Sequence, residues 1–423
     1  MTQAGDGRIG PLQRRVLTSS FIGWMFDGFE TSTLILVGGA AIASLIPNAG
    51  PDEVRLSIGT ALSATLAGWA VGGVIGSILA DYVGRKKMLM ISIAGYCAFT
   101  ALTAASYSIG ALITLRFLTG LFLGSEWSTG TALVAETWPD HARAKALGVM
   151  QSGYGFGFFL AAGLWLLIQP LGPEAWRLMF VIGVLPAIAL IYIRREVGES
   201  KLWQEAAAER RSASIKRDFT VIELLQDREA RSRAIATLVM AAVTVSVFYA
   251  ISALTGPFIG AIAAKEGRHA ATWASISALV YNAGAIVGYI SAGFLAEALG
   301  RKRYMSCVFG GAILSGILMY LAPPALLPSL IAVFILGIFT LGVFSWMPIY
   351  LPELFATRIR ATASGVVFNL GRLVAFPLPV LTAFIFSSLG GYQPTVLALT
   401  CLYFLSLAAL YFLPETKNTH LPN

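Results

Sequence analysis

Long apolar runs separated by short polar stretches make up the chain from residue 16 onward. Twelve of them predict membrane-crossing helices, at 16–46, 57–83, 88–108, 110–136, 143–169, 175–194, 233–262, 270–299, 303–322, 326–350, 360–389 and 392–413. Each provides about 20 residues or more, which at about 1.5 Å per residue crosses a hydrocarbon core about 30 Å thick. The segment 195–232 breaks the pattern. It holds acidic and basic residues in near balance, with helical periodicity around 202–211 and 219–229. It reads as a surface-lying linker between an N-terminal six-helix bundle (1–194) and a C-terminal one (233–423). The expected fold class is therefore an all-α membrane protein. The first 15 residues are polar and basic, but the apolar run behind them is too long for a signal core, so the first span is expected to stay in the mature chain.

Composition agrees: 57% of residues are hydrophobic and 12% charged, with a mean hydropathy of +0.74. Soluble domains run at about 25% charged. The net charge of +8 lies mainly in alternate loops: RKK at 85–87, Arg143 with Lys145, the 194–233 segment, RKR at 301–303, and Arg358 with Arg360. This predicts two cytoplasmic termini and contact with lipid rather than nucleic acid. Cys97, Cys307 and Cys401 sit in apolar runs and imply no disulfide framework. No phosphate loop, metal cluster or nucleophile–histidine pair is present, so an enzyme, a metal site and a cofactor are not expected.

The chain repeats itself. GGVIGSILADYVGRKK from Gly72 returns as GYISAGFLAEALGRKR from Gly288, an offset of 216 residues. ETWPDHARAKALG from Glu136 returns as ELFATRIRATASG from Glu353, an offset of 217. Two copies that both start on the cytoplasmic side are parallel repeats about an axis along the membrane normal.

The loop after the second span resembles the signature of the major facilitator superfamily. The E-x-x-P-x-x-x-R pattern from Glu136, GES at 198–200 and PETK at 414–417 agree with it. FDGFE (Phe26–Glu30), RFLTGLFLGSEW (Arg116–Trp127) and FNLGR (Phe368–Arg372) resemble the sialate and monocarboxylate:proton symporters, with aromatic-acid:proton symporters and bacterial nicotinate transporters close by. The match is imperfect: Glu30 stands where aromatic-acid carriers usually have Asp, and Phe122 and Ser125 interrupt the span-4 glycine run. The resemblance implies alternating access by two rocking bundles. It also implies that Asp81, Gly84, Arg85, Glu136 and Arg143, with Glu297, Arg301, Glu353 and Arg360, form a gate at the cytoplasmic helix ends.

Five charges fall inside the spans. Arg372 lies roughly 18 Å along its helix from Arg360, near the bilayer middle, where an unpaired charge is expensive. Its counterpart in the first repeat is Gly155. A guanidinium there keeps its charge and can grip a carboxylate bidentately. Asn369, one turn earlier, would add a hydrogen bond; in the monocarboxylate carriers this N-x-x-R pair is where substrate is expected. Asp27, Glu30 and Glu126, with Arg116, are the proton-coupling candidates, since His141, His269 and His420 all lie outside the spans. Asp27 and Glu30 could instead pair structurally with Arg116, and Glu126, beside Gly124, Ser125 and Ser128, could be a satisfied interhelical hydrogen-bonding group. Gln151, Tyr154, Tyr249, Tyr281, Asn282 and Trp346 fall near mid-span and are candidates for the cavity wall.

The expected function is import of a small organic anion (nicotinate, an aromatic acid, a short monocarboxylate or sialate) with a proton, by a monomer in a bacterial inner membrane. A proton antiporter for organic cations or drugs is the alternative within transport, and Arg372 speaks against it. A non-transporting sensor on the same fold is the alternative outside it, and the short termini make it the weaker expectation.

Overall fold

The computed structural model describes residues 9–48, 50–188, 198–212, 220–375 and 388–422. The first half contains α1 (Pro11–Leu45), α2 (Pro51–Val83), α3 (Arg85–Ala104), α4 (Ile109–Thr137), α5 (Asp140–Leu171) and α6 (Ala175–Ile188). The second contains α7 (Arg228–Lys265), α8 (Ala270–Leu299), α9 (Arg301–Leu321), α10 (Leu326–Leu354), α11 (Arg360–Ala375) and α12 (Tyr392–Tyr411). Among the described residues ten of these are long and apolar enough to cross a bilayer. Residues 189–194 of predicted span 6 and 376–387 of predicted span 11 lie outside the described residues. Two helices in the linker, Lys201–Ser212 and Thr220–Gln226, match its predicted periodicity.

Polarity is distributed as the bilayer requires. Large apolar side chains such as Ile35, Leu167, Leu314 and Phe404 are exposed, whereas Arg85, Arg116, Arg301 and Arg360 are fully buried. Where lipid is the solvent, apolar groups cost nothing on the outside and charges must find partners within.

Within the first half α1 packs on α5 and α2 on α4; within the second, α7 packs on α11 and α8 on α10. The halves meet chiefly where α5 lies on α8 and α2 on α11. Helix α4 is broken at Gly124 and Ser125, so Glu126 opens its second segment, Glu126–Thr137. Helix α10 has the corresponding break, a 3₁₀ turn at Gly342–Ser345. Such mid-helix irregularities are tolerated at membrane depth only where protein or a cavity surrounds them.

Three helix starts lie well ahead of expectation. Helix α1 starts at Pro11 rather than 16, α2 at Pro51 rather than 57, and α7 at Arg228 rather than 233. The first turns of all three are charged and so carry no hydropathy signal. Asp227 starts α7, its carboxylate accepting the N–H groups of Glu229 (2.8 Å) and Ala230 (3.0 Å).

Candidate functional site

A small cavity lies between the halves, lined by Trp24, Gln151, Tyr154, Val245, Phe248, Tyr249, Tyr289, Leu341, Phe344, Phe368 and Arg372. Its walls come from α1 and α5 on one side and from α7, α8, α10 and α11 on the other. Seven of these eleven residues are aromatic. Trp24 stacks on Tyr154 with ring centroids 4.9 Å apart.

Arg372 is the cationic group of this lining. Its Cζ lies 3.9 Å from the Trp69 ring and 4.0 Å from the Phe368 ring, both favourable cation–π positions. Its Nη1 donates weakly to Asn369 Oδ1 at 3.4 Å, and it makes no ion pair among the described residues. Asn369 does not line the cavity. It is buried, donates Nδ2 to Gly365 O at 2.8 Å, and lies so close to Gly73 that a Cβ there would meet it at 2.2 Å. Its amide is thus turned onto its own helix, with Oδ1 toward the guanidinium. Gln151 accepts from Trp127 Nε1 at 3.1 Å, which fixes its amide orientation and leaves Nε2 as a donor with no partner among the described residues.

Three expected wall residues lie elsewhere. The Tyr281 hydroxyl bonds Thr340 at 2.7 Å, Trp346 Nε1 donates to Thr244 at 3.2 Å, and Asn282 turns back onto Ala278 O at 2.9 Å. Each finds a polar partner on its own or a neighbouring helix. Trp24, Tyr289, Phe248 and Phe344 take their place, and apolar spans rich in aromatics gave no reason to single them out.

The acids of α1 separate. Glu30 pairs with Arg116 at 2.5 Å, both fully buried, and accepts from Thr100 at 2.8 Å. Thr103 and Thr119 take further Arg116 donors at 3.0 and 2.9 Å. That cluster pairs charge with charge and sits away from the cavity lining, although Glu30 Oε2 and Arg116 Nε find no hydrogen-bond partner among the described residues. Asp27 instead adjoins Glu126, carboxyl to carboxyl, with Arg372 also within electrostatic reach. Both are buried, and none of their four oxygens has a donor among the described residues.

The motif residues at the other level form two clusters that join the halves at the linker end. Asp81 pairs with Arg85 at 2.9 Å and accepts from both Thr362 N (2.8 Å) and Thr362 Oγ1 (2.7 Å), at the start of α11. Arg85 donates to Glu136 at 3.2 Å and to Thr357 O at 2.7 Å. Arg360 reaches Glu136 at 2.9 Å, and Arg143 stands 3.8 Å from Glu353. Arg301 holds Glu353 at 2.9 Å, while Glu297 stays within its own half on Arg301 at 3.3 Å. Gly84 and Gly300, with φ of 111° and 93°, make the turns into α3 and α9.

Residues 21–376 match the family model described as Major Facilitator Superfamily. The chain belongs to that superfamily. It is a multi-pass membrane transporter, not an enzyme. It is 27% identical over 394 residues to the sialic acid transporter of Escherichia coli, covering 91% of this chain and 90% of that one. It is 25% identical over 417 residues to a probable 4-methylmuconolactone transporter of Cupriavidus pinatubonensis (98% and 93% covered). A niacin transporter of Acinetobacter baylyi is 24% identical over 433 residues (96% and 95%). The solved proton:xylose symporter XylE shares the fold, with a TM-score of 0.76 at 16% identity over 97% of this chain and 98% of that one.

Two acids of this superfamily member were seen in the sequence only as landmarks. Glu199 accepts the N–H groups of Arg85 (3.0 Å) and Lys86 (3.2 Å), and Glu415 those of Arg301 (2.8 Å) and Lys302 (3.0 Å). Each caps a helix start in its own repeat. Ser200 and Thr416 beside them donate to Glu136 and Glu353. Burial pushes the Glu415 carboxyl up, but four backbone donors outweigh it and hold it below its ordinary value. The signal was available: Glu199 and Glu415 stand at the 216-residue offset of the repeat.

Proposed function

We propose that the chain is a proton-coupled symporter that imports a small organic carboxylate by alternating access, with both termini cytoplasmic. The observation that carries this is Arg372, a guanidinium on an aromatic-walled cavity between the halves with no acid paired to it among the described residues. A charge at that depth requires a counter-charge, and an arriving carboxylate supplies it bidentately. The free amide of Gln151 adds a second donor to the same space. The compounds named for the three relatives all bear a carboxyl group, which supports the same class. The aromatic walls favour a compact or planar acid, and the small cavity agrees.

Asp27 and Glu126 are the proposed proton carriers. Two adjoining carboxylates without donors cannot both bear charge at low dielectric, and one shared proton relieves the repulsion. Movement of the halves changes what surrounds the pair, so proton release follows the conformational cycle. Glu30 and Arg116 are assigned to structure, because their charges are already matched.

The test is uptake of labelled nicotinate, benzoate, lactate and sialate into proteoliposomes with and without an inward proton gradient. At least one carboxylate is expected to accumulate against its gradient only when protons run inward. Arg372→Lys should reduce carboxylate binding by at least tenfold. Asp27→Asn and Glu126→Gln should retain exchange and lose proton-driven accumulation. Exchange of organic cations with no carboxylate uptake overturns the reading.

A further inference from the structure

Outside the central cavity, a groove runs along the surface where α7 meets α12 at the linker end. It is lined by Arg228, Arg231, Ser232, Ile235, Ala236, Val239, Ala409 and Phe412. Its two parts differ in chemistry. The first turns of α7 contribute the exposed Arg228 and Arg231, and the next turns contribute Ile235 and Val239, 58% and 39% exposed. From α12 comes Phe412, 77% exposed. Cations thus lie at the helix end and apolar surface continues from them along the span.

The neighbouring acids do not neutralise these arginines. Asp227 is occupied by the N–H groups of Glu229 and Ala230, Glu229 pairs with Arg233, and Glu223 pairs with Arg358. Arg231 donates Nη1 to Leu225 O at 2.8 Å, which orients it without cancelling its charge. Neither Arg228 nor Arg231 has a carboxylate partner among the described residues. Outside the lining, Lys302 Nζ donates to Tyr411 O at 3.3 Å, placing a third cation beside the same end of α12.

We infer that this groove binds an anionic phospholipid, with the headgroup phosphate on Arg228 and Arg231 and an acyl chain along Ile235, Val239 and Phe412. Charge complementarity selects the headgroup, since a planar guanidinium takes phosphate bidentately and a zwitterionic lipid offers a weaker net charge. The order of the lining selects a lipid over a soluble anion, because the apolar half is reached only by a ligand with a tail. This site is independent of the substrate reading, so failure of either leaves the other standing.

The experiment uses the full chain in a neutral detergent. Native mass spectrometry is run with phosphatidylglycerol, cardiolipin or phosphatidylcholine added at equal concentration, and thermal unfolding is followed in parallel. The expected result is retention of the two anionic lipids and a rise of a few degrees in Tm with them, and not with phosphatidylcholine or inorganic phosphate. Arg228→Gln combined with Arg231→Gln should keep the lipid-free Tm, lose most of that rise and bind anionic lipid at least tenfold more weakly. Lys87→Gln, which removes an exposed charge at the same end of the other half, should behave as the parent. Equal lipid retention by the double variant, equal loss in Lys87→Gln, or the same rise from inorganic phosphate overturns the site.

Discussion

Two mid-span arginines in this transporter, Arg116 buried and Arg372 half-buried, are treated differently by their neighbours. Arg116 has a carboxylate at 2.5 Å, threonine hydroxyls, and the Phe180 ring 4.7 Å from its Cζ. Arg372 has two rings and one distant amide oxygen. The first arrangement matches charge with charge; the second leaves the guanidinium without an ion pair among the described residues. Removing one member of the matched pair strands the other charge, at a cost of about 3–5 kcal/mol. Glu30→Gln and Arg116→Gln should therefore each destabilise strongly, and the double variant by clearly less than their sum. A cycle of unfolding measurements in one detergent checks this, and additive losses would show that the pair is not coupled. All five charges were conspicuous in sequence, because a charge in an apolar run stands out. Their pairing was not. Asp27 and Glu30 point only about 60° apart around α1, and neighbouring helices decide that one meets Glu126 and the other Arg116. The threonines that complete the Arg116 cluster look like any others in a membrane span.

At the level of helices, contact without large side chains sets the geometry around the break in α4. A Cβ placed on Gly72 of α2 would lie 1.7 Å from Leu121 O, and one on Gly124 would lie 2.2 Å from Trp69 O. The backbones of α2 and α4 therefore touch, which brings Trp69 to Arg372 and Glu126 to α1. Gly72→Ala should force the two helices apart and lower stability by about 1–3 kcal/mol. Gly39→Ala on α1, where a Cβ meets nothing within 4 Å, should leave it within about 0.5 kcal/mol of the parent. Thermal unfolding of the two purified variants decides, and equal Tm values would mean that the α2–α4 contact yields easily. The repeat made this contact partly legible, since Gly72 and Gly288 align and both face a backbone oxygen, of Leu121 and of Ile338. The charged first turns of α1, α2 and α7 were not legible as helix by hydropathy, although Asp227 ahead of α7 is a readable cap.

On the scale of the whole molecule, the duplication predicted two equivalent halves, and the closed end shows where equivalence stops. Glu199 and Glu415 repeat one another, as do Gly84 and Gly300. Asp81 and Glu297 do not. Asp81 crosses to the N-terminus of α11 through two hydrogen bonds to Thr362, whereas Glu297 turns to Arg301 beside it. A pairwise sequence match could not reveal this, because it depends on how the halves meet. The crossing contacts exist only while the linker end is closed, so their loss must shift the balance between closed and open forms. Hydrogen bonds to a charged acceptor contribute about 1.5–3 kcal/mol each, enough for a tenfold or larger shift. Spin labels on Lys87→Cys and Arg303→Cys, both exposed at that end, report the separation of the halves in a background lacking the exposed Cys307. The parent should give one short distance population. Asp81→Asn should add a longer one, and Glu297→Gln should leave the distribution unchanged. If Asp81→Asn keeps the single population, the Thr362 contacts do not hold this end shut, and the Arg85–Glu136–Arg360 cluster must do so without them.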